Sequence, residues 1–341
     1  DDETSRGLGD VYKRQIVVNA ATGAWTYTLD NSLTATTALD AGDQVTDTFT
    51  LTVTDSDSTE SDTMDVVITI TGADDDVSAG ADQAGAVTED ATVTTATGTV
   101  AGSDADADSS LSYSGGTSGT YGSIVIDAAT GAWTYTLDNS LAATTALDAN
   151  DVVTDTFTMT VSDSASSESD TMDIVITITG ANDGPSAGDD GTGAVTEDAT
   201  ATTATGTVAG TDDDASASLA YSGDATGTYG SIVVDAATGA WTYTLDNSDV
   251  DTNALAHDGS GTESFTMTVT DGTLSDTMTV TITVSGANDA PTVANALTAG
   301  SIDEDSPYSL DVSSMCTDVD TNDALTSVSY THLTLPTTTP V

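Results

Sequence analysis

One decapeptide, GAWTYTLDNS, occurs three times in this chain, and its tryptophans, Trp25, Trp133 and Trp241, stand 108 residues apart. AVTEDAT recurs from Ala86 and Ala194 at the same interval. A closing signature recurs as GADDD from Gly72, GANDGP from Gly180 and GANDAP from Gly286. The last interval is 106, because VSDSASSESDTM (161–172) shortens to VTDGTLSDTM (269–278), a deletion in the loop between intact strands. So long a period exceeds a solenoid of single supersecondary units and fits one whole domain per repeat. The expected organisation is beads on a string. A truncated repeat spans 16–77, complete repeats span 78–185 and 186–291, and a different domain starts over 292–328.

The two ends differ in composition from the rest. Arg6, Lys13 and Arg14 are the only basic residues, and 329–341 abruptly supplies a histidine and two prolines. Segments 1–15 and 329–341 read as non-native scars and are set aside from fold reasoning. On this reading the chain is an internal fragment, so the lack of a leader carries no information.

Inside a repeat the apolar pattern has period two. Trp133, Tyr135 and Leu137 alternate with threonines, as do Phe157, Met159 and Val161, and Met172, Ile174, Ile176 and Ile178 continue the alternation. Ile124 and Ile126 precede a turn at Asp127–Gly131 and pair with the Trp133 strand as a hairpin. With strands near Val87, Val100 and Leu111, each repeat holds about seven, and no segment offers a helical period. Seven short alternating strands in roughly 100 residues predict an all-β, immunoglobulin-like β-sandwich. Alternation places the aromatic stripe on the inward face, where a sandwich core needs it, rather than on a sugar-binding platform.

The charge balance narrows function. Against 56 acidic residues the chain sets three basic ones, a net charge of −53. Such a surface repels phosphate backbones and anionic membranes, which excludes nucleic-acid partners and polybasic docking. No run of 18 apolar residues is present, so no membrane insertion is expected. The single cysteine, Cys316, excludes an intrachain disulfide and a cysteine-based zinc cluster. Only seven of the acids are glutamate, and aspartate is a loop and turn residue.

Many of these acids recur in register at three stations. The first is Glu89–Asp90, Glu197–Asp198 and, in the last segment, Glu304–Asp305. The second is Asp104, Asp106 and Asp108, replaced by Asp212, Asp213 and Asp214, with Asp318 and Asp320 in the last segment. The third is the linker, with Asp74–Asp76, Asn182–Asp183 and Asn288–Asp289. Each lies at a strand end or a junction. Two carboxylates ~5 Å apart repel by ~0.8 kcal/mol even in bulk water, and no lysine or arginine follows Arg14 to relieve them. Ca²⁺ accepts six to eight oxygens from carboxylates, amide carbonyls and water without strict geometry, which is what D-x-D, E-D and N-D loops supply. The competing explanation is a hydrated, salt-tolerant acidic surface, the role expected of scattered acids such as Asp138, Asp148 and Asp170.

The AVTEDAT opening, the YGSIVIDAATGAWTYTLDNS core and the VTDGTLSDTMTVTITVSGANDAP ending resemble the VCBS repeat of large bacterial surface and secreted proteins, often adhesins with RTX-like features. The last segment, with IDEDSPYSLDVSS and TDVDTNDALT, is similar to the start of a dystroglycan-type cadherin-like domain. The N-D-x-P linkers and D-x-D stations resemble cadherin junctions, where calcium bridges successive domains. The resemblance implies tandem cadherin-like sandwiches in an extracellular, secreted or cell-surface, Ca²⁺-supported adhesin. Asp74–Val77 departs from N-D-G-P and Asp212–Asp214 from spaced D-x-D.

No active site is expected. His257 is the repeats' only histidine and reads as surface decoration; Cys316 reads as a chance thiol. Three hypotheses follow. The first is a calcium-stiffened adhesive spacer, whose partner is a host or biofilm surface glycan or protein. The second is a glycan-binding module using loop-tip aromatics, for which Tyr121 and Tyr229 are the candidates, although strand-start packing suits them better. The third is an accessory spacer of a secreted multi-domain enzyme.

Overall fold

The computed structural model describes residues 15–293, 306–307, 309–311 and 315–326. The chain divides into two compact units, residues 1–181 and 182–341.

In the first unit, β1 (Gln15–Val18) and β2 (Trp25–Thr28) form one antiparallel pair, and β3 (Gln44–Thr54) and β4 (Ser61–Thr71) form another. The next repeat supplies seven strands. These are β5 (Gln83–Thr88), β6 (Thr95–Thr99), β7 (Leu111–Gly115), β8 (Gly122–Ile126), β9 (Ala132–Leu137), β10 (Val152–Asp163) and β11 (Ser169–Thr179). They form two sheets, ordered β5-β11-β10-β7 and β6-β9-β8. The β-branched threonines, valines and isoleucines suit a pleated, half-buried surface, and their alternation puts one set inward. Trp133, Tyr135, Phe157, Met159, Val161, Ile174, Ile176 and Ile178 meet in that core. The Tyr135 and Phe157 rings lie 5.8 Å apart and tilted.

The expected hairpin is present: β8 pairs with β9, with Ile126 opposite Trp133. Asp127 closes its turn by accepting hydrogen bonds from the Ala129 and Thr130 amides and the Thr130 hydroxyl, and Gly131 supplies φ 71°. Those bonds hold the Asp127 carboxyl below its usual value, the Thr130 hydroxyl contributing most. The first strand of the repeat pairs with the last in parallel: β5 runs beside β11 from Gln83↔Ile174 to Thr88↔Thr179. Two single helical turns, α1 (Thr34–Thr37) and α2 (Ala142–Thr145), are too short to register as a period in sequence.

The second unit repeats this plan. Strands β12 (Gly191–Thr196), β13 (Thr203–Thr207), β14 (Ala220–Gly223), β15 (Gly230–Val234), β16 (Ala240–Leu245), β17 (Ser260–Thr270) and β18 (Ser275–Ser285) form sheets β12-β18-β17-β14 and β13-β16-β15. A short pair, β19 (Thr292–Val293) with β20 (Cys316–Thr317), follows. Tyr121 and Tyr229 pack half-buried against their cores, as strand-start packing requires.

One inward position is acidic. Asp155 on β10 is buried, and its carboxylate accepts from the Thr120 and Tyr121 amides (2.8 and 3.1 Å) and from the Tyr135 hydroxyl (2.9 Å). Glu263 does the same for the Thr228 and Tyr229 amides. Asp138 and Asp170, expected to be hydrated surface acids, are exposed and also hold backbone groups. Asp170 Oδ2 accepts from the Ala79 amide at 2.9 Å, and Asp138 caps Ser140 through its amide and hydroxyl.

Candidate metal centre

The second unit contains the fullest convergence of acids. Where β18 ends, the chain runs through Gly286–Asp289, and Glu197, just beyond β12, lies against it. The Glu197 amide donates to the Ser285 carbonyl, and its carboxylate Oε2 accepts from the Ala287 amide at 3.2 Å. The Asp289 amide donates to Asp320 Oδ2 at 2.9 Å, and the Asp320 amide donates to Asp318 Oδ1 at 3.1 Å. Carboxylate oxygens of Asp318, Asp320 and Asp323 all lie within 4.8 Å of one another. Glu197 and Asp320 are buried.

Electrostatics and hydrogen bonding agree about this cluster. Burial, then Asp289, Asp198 and Asp320, push the Glu197 carboxyl above its usual 4.5 against the Ala287 amide, which favours the anion. Burial, then Asp198, Asp320 and Asp318, push Asp289 above 3.8. Glu197 Oε1, Asp289 Oδ2 and Asp320 Oδ1 are buried oxygens that receive no hydrogen bond. Leaving such a group unsatisfied costs ~1–3 kcal/mol, more when it is charged. An all-oxygen donor set with no side-chain cation from Ile16 onward fits a hard divalent ion such as Ca²⁺.

The same hydrogen-bond relay recurs at the other linkers. Within the second unit, the Asp183 amide donates to Asp214 Oδ2 (3.2 Å) and the Asp214 amide to Asp212 Oδ1 (3.1 Å). Asp213 faces solvent, so the run of three aspartates works as a D-x-D pair after all. Asn182 Nδ2 donates to the Asp183 carbonyl and, at 2.8 Å, to Asp271 Oδ2. In the first unit, the Asp75 amide donates to Asp106 Oδ2 (3.0 Å) and the Asp106 amide to Asp104 Oδ1 (2.9 Å). Burial, then Asp106, raises the Asp74 carboxyl, against a hydrogen bond with Glu168 that lowers it, and burial, then Asp74 and Asp76, raises that of Glu168. Asp104 Oδ2, Asp106 Oδ1 and Glu168 Oε2 are further buried oxygens without a hydrogen bond.

Glu89 is buried and its Oε2 accepts from the Ala181 amide at 3.0 Å. Asp108 is exposed, its amide donating to Asp40 Oδ1; burial, then Asp40, raises its carboxyl. Asp90 and Asp198 are exposed, and Asp90 accepts from Asn139 Nδ2. Asn288 Nδ2 donates to the Asp289 carbonyl. Glu304 and Asp305 lie outside the described residues.

The sequence reading missed Asp271, Glu168, Asp323 and Asp163, whose buried carboxylate accepts from the Ser110 amide at 2.7 Å and from the Ala165 and Ser166 amides. Asp163 and Asp271 stand 108 apart and open equivalent hairpin loops, so register held the signal.

A tandem array of seven-stranded sandwiches with acid relays at its linkers defines a class of cadherin-like repeat proteins. Residues 74–180 and 182–286 match the bacterial cadherin-like domain, and the chain belongs to that family. No curated protein matches it. Among solved structures, mouse clustered PcdhgC3 EC1-3 is 18% identical, covering 80% of this chain and 86% of that one at a TM-score of 0.43. Mouse Cadherin-23 EC22-24 is 16% identical, covering 84% and 89% at 0.43. Protocadherin Gamma B7 extracellular cadherin domains 1-4 are 15% identical, covering 87% and 71% at 0.44. Among the described residues, no helix is long and apolar enough to cross a membrane.

Proposed function

We propose that this chain is a non-catalytic, extracellular repeat region of a bacterial adhesin, in which calcium held at the linker carboxylates stiffens a spacer supporting cell adhesion. The observation that carries the reading is the set of buried, hydrogen-bond-free oxygens on Glu197, Asp289 and Asp320, gathered by a linker amide that donates into the D-x-D loop. Glu197, Asp289, Asp318, Asp320 and Asp323 would hold one ion. Asp104, Asp106, Asp163, Asp74 and Glu168 would serve the first linker. A bound ion supplies the positive charge that this sequence lacks. The chain's own contribution is to fix the carboxylates through the linker amides.

Repeats over 16–77, 78–185 and 186–291, followed by the start of a further domain over 292–328, form the proposed array. The VCBS and RTX resemblances support a secreted or cell-surface location and an adhesion partner that is a host or biofilm surface glycan or protein. Millimolar-affinity sites are empty in cytosol and fill outside, which keeps the chain loose during export. Half-burial of Tyr121 and Tyr229 leaves a glycan-binding module without an aromatic platform at those positions.

Thermal unfolding in EDTA, Ca²⁺, Mg²⁺ and NaCl at matched ionic strength tests this. Sites at 100-fold saturation each stabilise by about 2.7 kcal/mol, so Ca²⁺ is expected to raise Tm well beyond the controls. Equal shifts in all salts would reduce the acids to a screened surface and sink the proposal.

A further inference from the structure

At three aligned positions the first linker has a carboxylate where the second has none. Asp74, Asp76 and Glu168 stand where the next repeat has Asn182, Gly184 and Leu274. The first two pairs are 108 residues apart, and Glu168 and Leu274 each immediately precede the last long strand of their repeat, β11 and β18. The relay beside them is the same in both: the Asp75 amide donates to Asp106, and the Asp183 amide to Asp214.

The second linker closes this position with its own side chains. Asn182 Nδ2 donates to Asp271 Oδ2 at 2.8 Å, so an amide answers the carboxylate. Leu274 lies over Gly184, where an added Cβ would sit 3.4 Å from Leu274 Cδ1. In the first linker the equivalent place is a cavity of about 360 Å³ lined by Asp76, Val77, Glu168, Ser169 and Asp170. Asp170 is already engaged by the Ala79 and Thr171 amides. Glu168 is not so answered, because its Oε2 is buried and receives no hydrogen bond. Asp74 hydrogen-bonds to Glu168 and lies within electrostatic reach of Asp106 and Asp163. Asp106, behind Asp74, is 7% exposed, and its Oδ1 is buried without a hydrogen bond. Exposed acids alone would make a hydrated surface. A carboxylate more than nine-tenths buried with an unanswered oxygen behind them calls for a cation.

We infer that the first linker holds one divalent cation more than the second, at an outer position formed by Asp74, Asp76 and Glu168 that Leu274 fills in the second. The inference rests on the calcium reading proposed above and adds that the two linkers load unequally. Ca²⁺ suits the set, because it takes carboxylate oxygens at varied geometry and completes its shell with water.

The test counts Ca²⁺ bound at saturation by equilibrium dialysis of the full chain against a Mg²⁺ background. Wild type is compared with an Asp76→Gly, Glu168→Leu chain, which carries the residues the next repeat already accommodates, and with an Asp76→Asn, Glu168→Gln chain of unchanged shape. Circular dichroism in EDTA verifies that each variant folds. Both variants are expected to bind one ion fewer than wild type. Equal counts overturn the inference while leaving the calcium reading intact. Loss of more than one ion also overturns it, since the outer carboxylates would then belong to the inner set. A wild type that takes up no Ca²⁺ above the Mg²⁺ background removes the calcium reading itself, and the inference with it.

Discussion

Gly98 and Gly206 show how much of this fold hangs on single residues. Each lies opposite a buried tryptophan whose ring occupies the space of the missing side chain. Gly98→Ala or Gly206→Ala must displace an indole in a close-packed core, at an expected loss of about 1–3 kcal/mol. Chemical denaturation checks it: the midpoint should fall while the slope holds. At this scale the sequence was partly legible. The tryptophans announced themselves through alternation, but their glycine partners lie in distant strands and become visible only once the pairing register is known. Asp155 was legible in principle. It shares parity with Phe157, Met159 and Val161, and Asp47 and Glu263 occupy the equivalent position, so alternation alone placed a carboxylate in the core. A buried carboxylate is costly unless partners satisfy it. Besides the Tyr135 hydroxyl, those partners are the Thr120 and Tyr121 amides, backbone groups that no residue pattern reveals.

Among the elements, β11 and β18 each hold an aspartate that reaches back across the repeat. Asp170 accepts from the Ala79 amide and Asp276 from the Ala187 amide, so the last long strand of each repeat grips the segment just before the first. These backbone bonds hold both carboxyls below 3.8, the Ala79 and Ala187 amides contributing most. A depressed folded value means the unfolded chain binds protons first as pH falls. The stabilisation is therefore complete above about 3.8 and disappears as pH drops through the lowered values. In EDTA, the wild-type chain is expected to lose stability steeply below that pH, and an Asp170→Asn, Asp276→Asn chain to start less stable and show a shallower decline. Circular dichroism melts across the acid range measure both. Strand count and the β8–β9 hairpin were readable from periodicity. The parallel β5–β11 pairing was not, since a period of two says nothing about a strand's neighbour.

For the whole molecule, a charge of −53 is the dominant fact. Self-repulsion on this scale opposes compaction, and it acts most strongly where carboxylates crowd at the linkers. Calcium at those positions is expected to reduce the range of linker conformations. Small-angle scattering should then give a narrower set of interdomain distances in Ca²⁺ than in EDTA at equal ionic strength. Identical profiles would count against stiffening even if calcium binds. The stations themselves were legible because repetition separated them from the acidic background. How the linker engages them was not, because the amide that donates into each D-x-D loop leaves no trace in composition.

The parallel pairing of β5 with β11 also has a mechanical meaning. The chain enters a repeat at the Gln83 end of this pair and leaves from the Thr179 end, and these are opposite ends of one six-residue ladder. Tension applied along the chain pulls the two strands past each other lengthwise, so all six residue pairs bear the load together. Peeling, which would break them one at a time, is not the direction of pull. The second complete repeat has the same pairing, β12 beside β18 from Gly191↔Val280 to Thr196↔Ser285, so a pull along the chain would load both ladders in shear rather than unzip them.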